Sequence, residues 1–324
     1  MADVVNWGVL GAAHFARTTM APAINEARRS RLAALATRDP AKAAPFAEIA
    51  PGLRVHDSYD ALLADPEVDA VYIPLPNALH VDWSLRAAEA GKHVLCEKPM
   101  TLKAAEFDGL IAARDRTGLF MAEAWVPCHH PQWTRVRDLL ADGALGTLRT
   151  VTAHFGFGLD DPGNIRLDPG LGGGALFDIG VYPVGAFRFA TGLEPVPVWA
   201  DAIFEGGVDT SAWVQTRAGD VRFSFHLSMR TQRRQTMAFE GTDGRLTLSA
   251  PFNAGGAGQA DLILERDGRD TQVTSYPDAR QYVTQVEAAT AGILDGAPFV
   301  WPLERARGTQ VVLDAVFECL AGTR

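Results

Sequence analysis

Asn6-Trp7-Gly8-Val9-Leu10-Gly11-Ala12-Ala13-His14-Phe15-Ala16 is the stretch whose reading decides the fold. It follows a short apolar strand. Gly11 opens a turn of small residues, and Phe15 to Ala27 has helical composition. Strand, glycine turn and helix in that order are the context of a dinucleotide site. Small residues let the backbone approach a pyrophosphate. The helix start offers unpaired N–H groups and the positive end of the dipole. The usual G-x-G-x-x-G/A spacing stands here as Gly11-x-Ala13-x-x-Ala16, with alanine in the middle. Alone, the pattern fits an ordinary tight strand–helix turn equally well.

The residues that follow strengthen it. Arg31 to Thr37 reads as a second strand, with a helix starting at Pro40. Leu53 to His56 and Asp69 to Ile73 read as strands, the latter ending at Pro74-Leu75-Pro76-Asn77. His80 to Ala90 is helical, with Gly91 as its cap. His93 to Cys96 is a fifth strand, stopped by Glu97-Lys98-Pro99, because proline cannot donate to a ladder. A helix from about Leu102 to Thr117 and a strand from Leu119 to Ala124 complete the set. Six strands alternating with helices predict an α/β Rossmann domain, a doubly wound parallel sheet, over residues 1–124. Lys98 then lies at the carboxyl end of a strand, the edge where such sheets hold ligands. In isolation a Glu-Lys pair there is more often a solvated turn.

The end of the second strand distinguishes cofactors. An acidic residue there suits the ribose hydroxyls of NAD, an arginine the 2′-phosphate of NADP. Thr37-Arg38-Asp39 favours NADP over NAD, since Asp39 precedes a proline-started helix and reads better as its N-cap.

From Gly146 the texture changes. Leu148 to Phe157 alternates, as do Val221, Phe223, Phe225 and Leu227 against Arg222, Ser224, His226 and Ser228. Hairpins are expected around Ala218-Gly219-Asp220, Gly241-Thr242-Asp243-Gly244 and Asp267-Gly268-Arg269-Asp270. Residues 125–324 therefore predict an α+β domain with a large, mostly antiparallel open-faced sheet. Its helices are expected at Ala175–Thr191, Gln281–Asp295 and Leu303–Leu320, the C-terminal ones free to pack back on the first domain. Pro251 to Gln259 reads as a mobile loop. Gly172-Gly173-Gly174 leads into a helix carrying Asp178 and Tyr182, four apart and so on one face if the helix is regular. A tyrosine hydroxyl can carry a proton and a nearby aspartate can orient it.

The chain has 324 residues and a formal net charge of −9, with no basic block, which argues against nucleic acid or an anionic membrane as partner. No apolar run approaches the ~20 residues of a membrane span. Met1 to Val5 carries no export signal, so a cytoplasmic location is expected. Cys96, Cys128 and Cys319 are scattered without metal spacing, so no metal site is expected.

Together these residues resemble the Gfo/Idh/MocA oxidoreductase family over nearly the whole chain. The resemblance rests on the Gly8 to Ala16 turn, Pro74 to His80, Ala90 to Pro99, Gly172 to Tyr182 and Val300-Trp301-Pro302-Leu303-Glu304. Glu123-Ala124-Trp125, His130-Pro131-Gln132, Arg166-x-Asp168-Pro169 and Tyr182 are similar to its sugar branch. That branch includes glucose–fructose oxidoreductase, NADP-dependent xylose dehydrogenase and dihydrodiol dehydrogenase. Pro127-Cys128-His129 departs from the aromatic-arginine pair usual there, so the resemblance implies no particular sugar.

The resemblance implies hydride transfer between nicotinamide and a sugar or cyclic polyol. It implies Lys98 at the reacting oxygen, Tyr182 as proton carrier and Asp178 assisting. It implies a cofactor lined by Gly11, Ala13, His14, Phe15, Thr37, Arg38, Pro74, Asn77, His80, Glu97 and Lys98. Trp125, His129, Asn164 and Arg166 are candidate substrate contacts. A cis bond before Pro99, substrate binding and oligomerisation by the 125–324 domain, and a homodimer or homotetramer formed through the open sheet face are also implied. One alternative is an aldose–aldose or glucose–fructose type oxidoreductase that retains NADP. Another is a sugar-sensing regulator without catalysis, against which Lys98, Asp178 and Tyr182 all stand.

Overall fold

A computed structural model describes residues 3–256 and 258–322. Met1 and Ala2 at the chain start, and Ala257 within the expected mobile loop, lie outside them. The chain forms two compact units. The first comprises residues up to Val126 together with Arg280–Arg307; the second comprises Pro127–Ala279 and the chain from Gly308. The first unit thus takes a late segment as well as the early one. Helix Gln281–Asp295 places Val286 and Ala289, both 0 % exposed, in one core with Val5, Trp7 and Tyr72.

Six strands build the first unit: β1 Val5–Leu10, β2 Ser30–Ala36, β3 Arg54–His56, β4 Ala70–Ile73, β5 His93–Cys96 and β6 Met121–Glu123. All neighbours are parallel, in the order β3-β2-β1-β4-β5-β6. Helices on both faces explain why β4 is buried at every residue. The order reverses between β1 and β4, and ligands of such sheets sit outside the carboxyl ends at that reversal. After β1 the chain is helical from His14 to Glu26, with a wide π turn at Ala16–Met20.

The second unit carries β7 Leu148–Gly158, β8 Val196–Glu205, β9 Val208–Ala218, β10 Val221–Ser228, β11 Arg230–Gly241, β12 Arg245–Leu248, β13 Asp261–Glu265 and β14 Gln272–Ser275. They form one sheet, β14-β13-β12-β11-β7-β10-β9-β8. The three expected hairpins are present. The exception to antiparallel pairing is β7 with β10, which run parallel. No strand is expected from the sequence at Val196–Glu205. That segment is an edge strand, exposed along most of its length and interrupted by Pro197, so it lacks alternation. One sheet face is packed by the helices of 175–191, with Phe187 stacked on Phe223 at 4.5 Å. On the other face, half-exposed Trp213 stacks on His226, whose Nδ1 lies 3.0 Å from that of His154.

The expected single helix Ala175–Thr191 is two, Ala175–Ile179 and Val181–Thr191. The join at Gly180 keeps right-handed helical angles, φ −67° and ψ −29°. Its N–H donates to both Ala175 and Leu176 carbonyls, at 3.1 and 3.0 Å. The helix therefore continues with one widened turn. The Pro251–Gln259 segment, expected to be mobile, is anchored at its start. Gln132 Nε2 and Trp133 Nε1 donate to the Pro251 carbonyl at 3.3 and 2.8 Å, and Phe252 is 0 % exposed. Anchoring side chains lie 118 and 119 residues away, beyond local reading.

Candidate functional site

β5 ends at Cys96, and Glu97, Lys98 and Pro99 follow at the ligand edge of the parallel sheet. The Lys98-Pro99 peptide is cis. Lys98 is half-buried, and its turn is held at three points. At the first, Tyr72 OH donates to Glu97 Oε1 at 2.6 Å and the Lys98 backbone N–H to Glu97 Oε2 at 3.2 Å. Burial, and after it the Glu97 charge, raises the Tyr72 phenol well above its usual range, which keeps it a donor.

The second point is His80, fully buried, with Nδ1 2.8 Å from the Pro99 carbonyl oxygen and Nε2 2.7 Å from that of Leu75. Burial lowers its pKa to about 4 against the pull of the two carbonyls, and the Lys98 charge adds to the fall. The neutral ring donates to one of them. Both ring nitrogens of His80, a residue expected along the cofactor, thus face backbone carbonyls on either side of the turn. The third point is Glu123, at the end of β6 and 3 % exposed. Its Oε1 accepts the Met100 N–H and its Oε2 the Trp301 indole N–H, both at 3.0 Å. Burial raises the Glu123 pKa, and those two bonds oppose the rise.

The same unit carries the dinucleotide turn. Gly11 has φ +99°, and a Cβ there would lie 3.1 Å from Leu75 Cδ2 and 3.3 Å from the Tyr59 hydroxyl oxygen. Only glycine suits that position. Ala12 and Ala13 are half-buried, and His14 and Phe15 are exposed where the helix begins. A dinucleotide diphosphate fits this low turn and helix start. At the end of β2, Asp39 accepts the Ala41 N–H at 3.0 Å and caps helix Pro40–Ile49. Beside it, Arg38 is exposed and Thr37 half-buried at the carboxyl end of β2. Pro74 and Asn77 are half-buried after β4, and Asn77 opens a short 3-10 turn.

The second unit gathers a separate group. Arg166 Nε donates to Asp178 Oδ2 at 2.6 Å, and the Arg166 backbone N–H to Asn164 Oδ1 at 3.1 Å. Asn164, Arg166 and Asp178, expected separately, thus form one chain of contacts. Helical angles through Gly180 keep Asp178 and Tyr182 one turn apart. Tyr182, 7 % exposed, packs its ring against Phe155 and Phe252 at 5.3 and 5.7 Å. His129 is buried, and burial lowers its pKa to about 3, so it is neutral. In the first unit, Trp125 is 0 % exposed and stacked on Trp301 at 4.1 Å, which places its ring in the interior. Among the described residues, no cluster of three or more His, Cys, Asp or Glu could hold a metal ion. No described helix is long and apolar enough to cross a membrane.

Glu123, Tyr72 and Trp301 carry no functional role on sequence grounds. A glutamate ending an otherwise apolar strand is the available signal for the first; its indole partner is 178 residues away.

The chain is similar in sequence and fold to known proteins. Residues 5–124 match the family model described as Oxidoreductase family, NAD-binding Rossmann fold, and residues 133–247 the GFO/IDH/MocA C-terminal domain. The chain is 36 % identical over 321 residues to D-xylose 1-dehydrogenase (NADP(+)) 2 of Haloferax volcanii, covering 96 % of each. It is similar to the crystal structure of KijD10, a 3-ketoreductase from Actinomadura kijaniata in complex with NADP and TDP-benzene. That match has a TM-score of 0.92 at 31 % identity, over 98 % of each chain. It is similar also to an aldose-aldose oxidoreductase from Caulobacter crescentus complexed with glycerol. There the TM-score is 0.89 at 27 % identity, over 99 % of this chain and 98 % of that one.

Proposed function

Because the chain belongs to the Gfo/Idh/MocA oxidoreductase family, we propose that it is an NADP-dependent dehydrogenase or reductase of a sugar or cyclic polyol. The observation that carries this reading is the Lys98 turn, held through Glu97, Pro99 and Met100 at the carboxyl edge of the parallel sheet. A merely solvated lysine needs no such bracing. The cofactor would supply the redox chemistry, NADP+ as hydride acceptor in oxidation and NADPH as hydride donor in reduction. Lys98 holds the reacting oxygen and stabilises the negative charge that develops there. Tyr182 takes up or returns the proton of that oxygen, and Asp178, fixed by Arg166, assists it. The Phe155 and Phe252 rings pack against the Tyr182 ring and hold it in place. The test is a nicotinamide-absorbance screen of aldoses, inositols, anhydro-sugars and nucleotide-linked ketosugars, with both cofactors and in both directions. Turnover with none of them contradicts the reading.

NADP is preferred to NAD on the strength of exposed Arg38, the capping role of Asp39, and the NADP named for two similar proteins. Arg38→Ala is expected to weaken NADP binding by about 1–3 kcal/mol, the worth of a lost charge-assisted contact, and to leave NAD nearly unchanged. Equal losses in titrations with the two cofactors would reject the 2′-phosphate assignment.

A second reading, aldose–aldose transfer with NADP retained between half-reactions, draws support from the similarity to the Caulobacter protein. Tightly held NADP(H) released on denaturing the purified protein favours it; cofactor-free protein opposes it. We also assign a homodimer or homotetramer to the open face of the eight-stranded sheet. Trp199 and Ile203 on β8, 43 % and 51 % exposed, share that face with Trp213 and His226 by register. Trp199→Glu is expected to lower the mass found by light scattering. A wild-type monomer would contradict the assignment.

A further inference from the structure

The helix that presents Asp178 and leads to Tyr182 begins at Gly174 without a capping side chain of its own. Its first residues are Ala175, Leu176 and Phe177, none of which can accept the orphan N–H groups of a helix start. Two distant groups do that work. On one side, the Gly174 N–H donates to the Arg166 carbonyl at 2.9 Å, and the Gly173 N–H to that of Asp168 at 3.0 Å. This ties the helix start to the turn whose arginine holds Asp178.

On the other side stands Asp209, on β9, 2 % exposed and 33 residues beyond Leu176. Its Oδ2 accepts the Leu176 N–H at 2.7 Å, and the Ala175 N–H also stabilises its charged form. Gly174 shows how closely the carboxylate approaches. At φ +116°, a Cβ on Gly174 would lie 2.2 Å from Asp209 Oδ1 and 3.2 Å from its Cγ. The third glycine of the Gly172-Gly173-Gly174 run is therefore fitted to a carboxylate from another strand, besides serving the turn. The buried carboxylate accepts amide hydrogens at the positive end of the helix.

We propose that Asp209 is a positioning residue for the reaction, a cap in trans that fixes the register of the Asp178–Tyr182 helix. The inference rests on the proposed role of Tyr182. Asp209 acts through the Leu176 and Ala175 amides. Burial would otherwise make it a costly choice, for it raises the Asp209 pKa to about 7 against the three backbone N–H groups that lower it. A serine or asparagine at the helix start itself would cap more simply. The carboxylate from β9 instead ties the helix start directly to the sheet.

The test compares wild type, Asp209→Asn, Asp209→Ala, Gly174→Ala and Tyr182→Phe. Amide hydrogen exchange on each, by mass spectrometry, is expected to show faster exchange of peptides spanning 174–182 in Asp209→Ala and Gly174→Ala, with the first-unit peptides unchanged. With NADP and the aldose most active in the substrate screen, kcat of Asp209→Ala is expected to fall by about 10²-fold, the scale of an ångström misplacement, with NADP affinity unchanged. Asp209→Asn keeps an acceptor oxygen and is expected to recover most of that loss, which a general loss of folding would not permit. Unaltered exchange over 174–182 in folded Asp209→Ala overturns the proposal. So does wild-type kcat in that variant while Tyr182→Phe is inactive. If Tyr182→Phe itself retains turnover, the proton-carrier reading fails, and this inference with it. Should Asp209→Ala not fold, Asp209→Asn and Gly174→Ala decide in its place: wild-type exchange and kcat in both overturn the proposal.

Discussion

Lys98→Met is expected to abolish turnover, with kcat falling at least about 10³-fold, while NADP binds within a few-fold of wild type. Removing one donor from a developing oxyanion costs about 10²–10³-fold in an enclosed site. Lys98 brings a full charge as well as a hydrogen bond, so the upper end or more is expected. Methionine keeps the length and apolar stem of the side chain. The braces around it run through backbone atoms and Glu97, so the turn persists in the variant. On the proposed reading the Gly11 turn and Arg38 supply most of the cofactor affinity, and Lys98 only a small share, so NADP binding is expected to be largely spared. Steady-state rates and a fluorescence titration with NADP separate the two effects. Near-normal kcat would remove Lys98 from the chemistry.

Tyr182→Phe is expected to depress kcat by about 10²–10⁴-fold, the usual worth of a positioned acid–base group. The ring remains against Phe155 and Phe252, so thermal stability should change little. The pH–rate profile should lose the limb that the phenol supplies. A profile identical to wild type, at undiminished rate, would show that another group carries the proton. Asp178 keeps its Arg166 contact in this variant, so residual activity would report what the oriented carboxylate achieves alone.

The parallel sheet is legible in the sequence because its signals are local. Gly11 follows its strand directly, Pro99 stops another, and Pro40 starts a helix with Asp39 as cap. The hairpins are legible for the same reason, each turn lying between its own strands. What escapes is set by distance or by exposure. β8 has no buried face to write an alternating pattern, so Val196–Glu205 reads as loop. The parallel pairing of β7 with β10 joins strands whose sequences alternate identically in either direction.

The candidate site divides the same way. Residues inside motifs can be named from the sequence, among them Lys98, Asp178, Tyr182 and Arg166. Their supports cannot, since Glu123 meets Trp301 across 178 residues and Asp209 meets Leu176 across 33. A carboxylate buried in a strand is their shared trace. Deciding what it holds requires the neighbouring element. Gly174 carries a double meaning: its positive φ suits any turn, but the clearance it leaves for Asp209 is a tertiary fact.

We propose hydride transfer between a sugar and NADP with Lys98 at the reacting oxygen. Its most direct test is isotopic. An aldose deuterated at C1 is incubated with NADP and either wild type or Lys98→Met, and the nicotinamide is analysed by mass spectrometry. The account predicts deuterium on the nicotinamide with wild type and none above background with Lys98→Met. Equal labelling by the two proteins, or no labelling by wild type with any aldose or polyol that it binds, would contradict it.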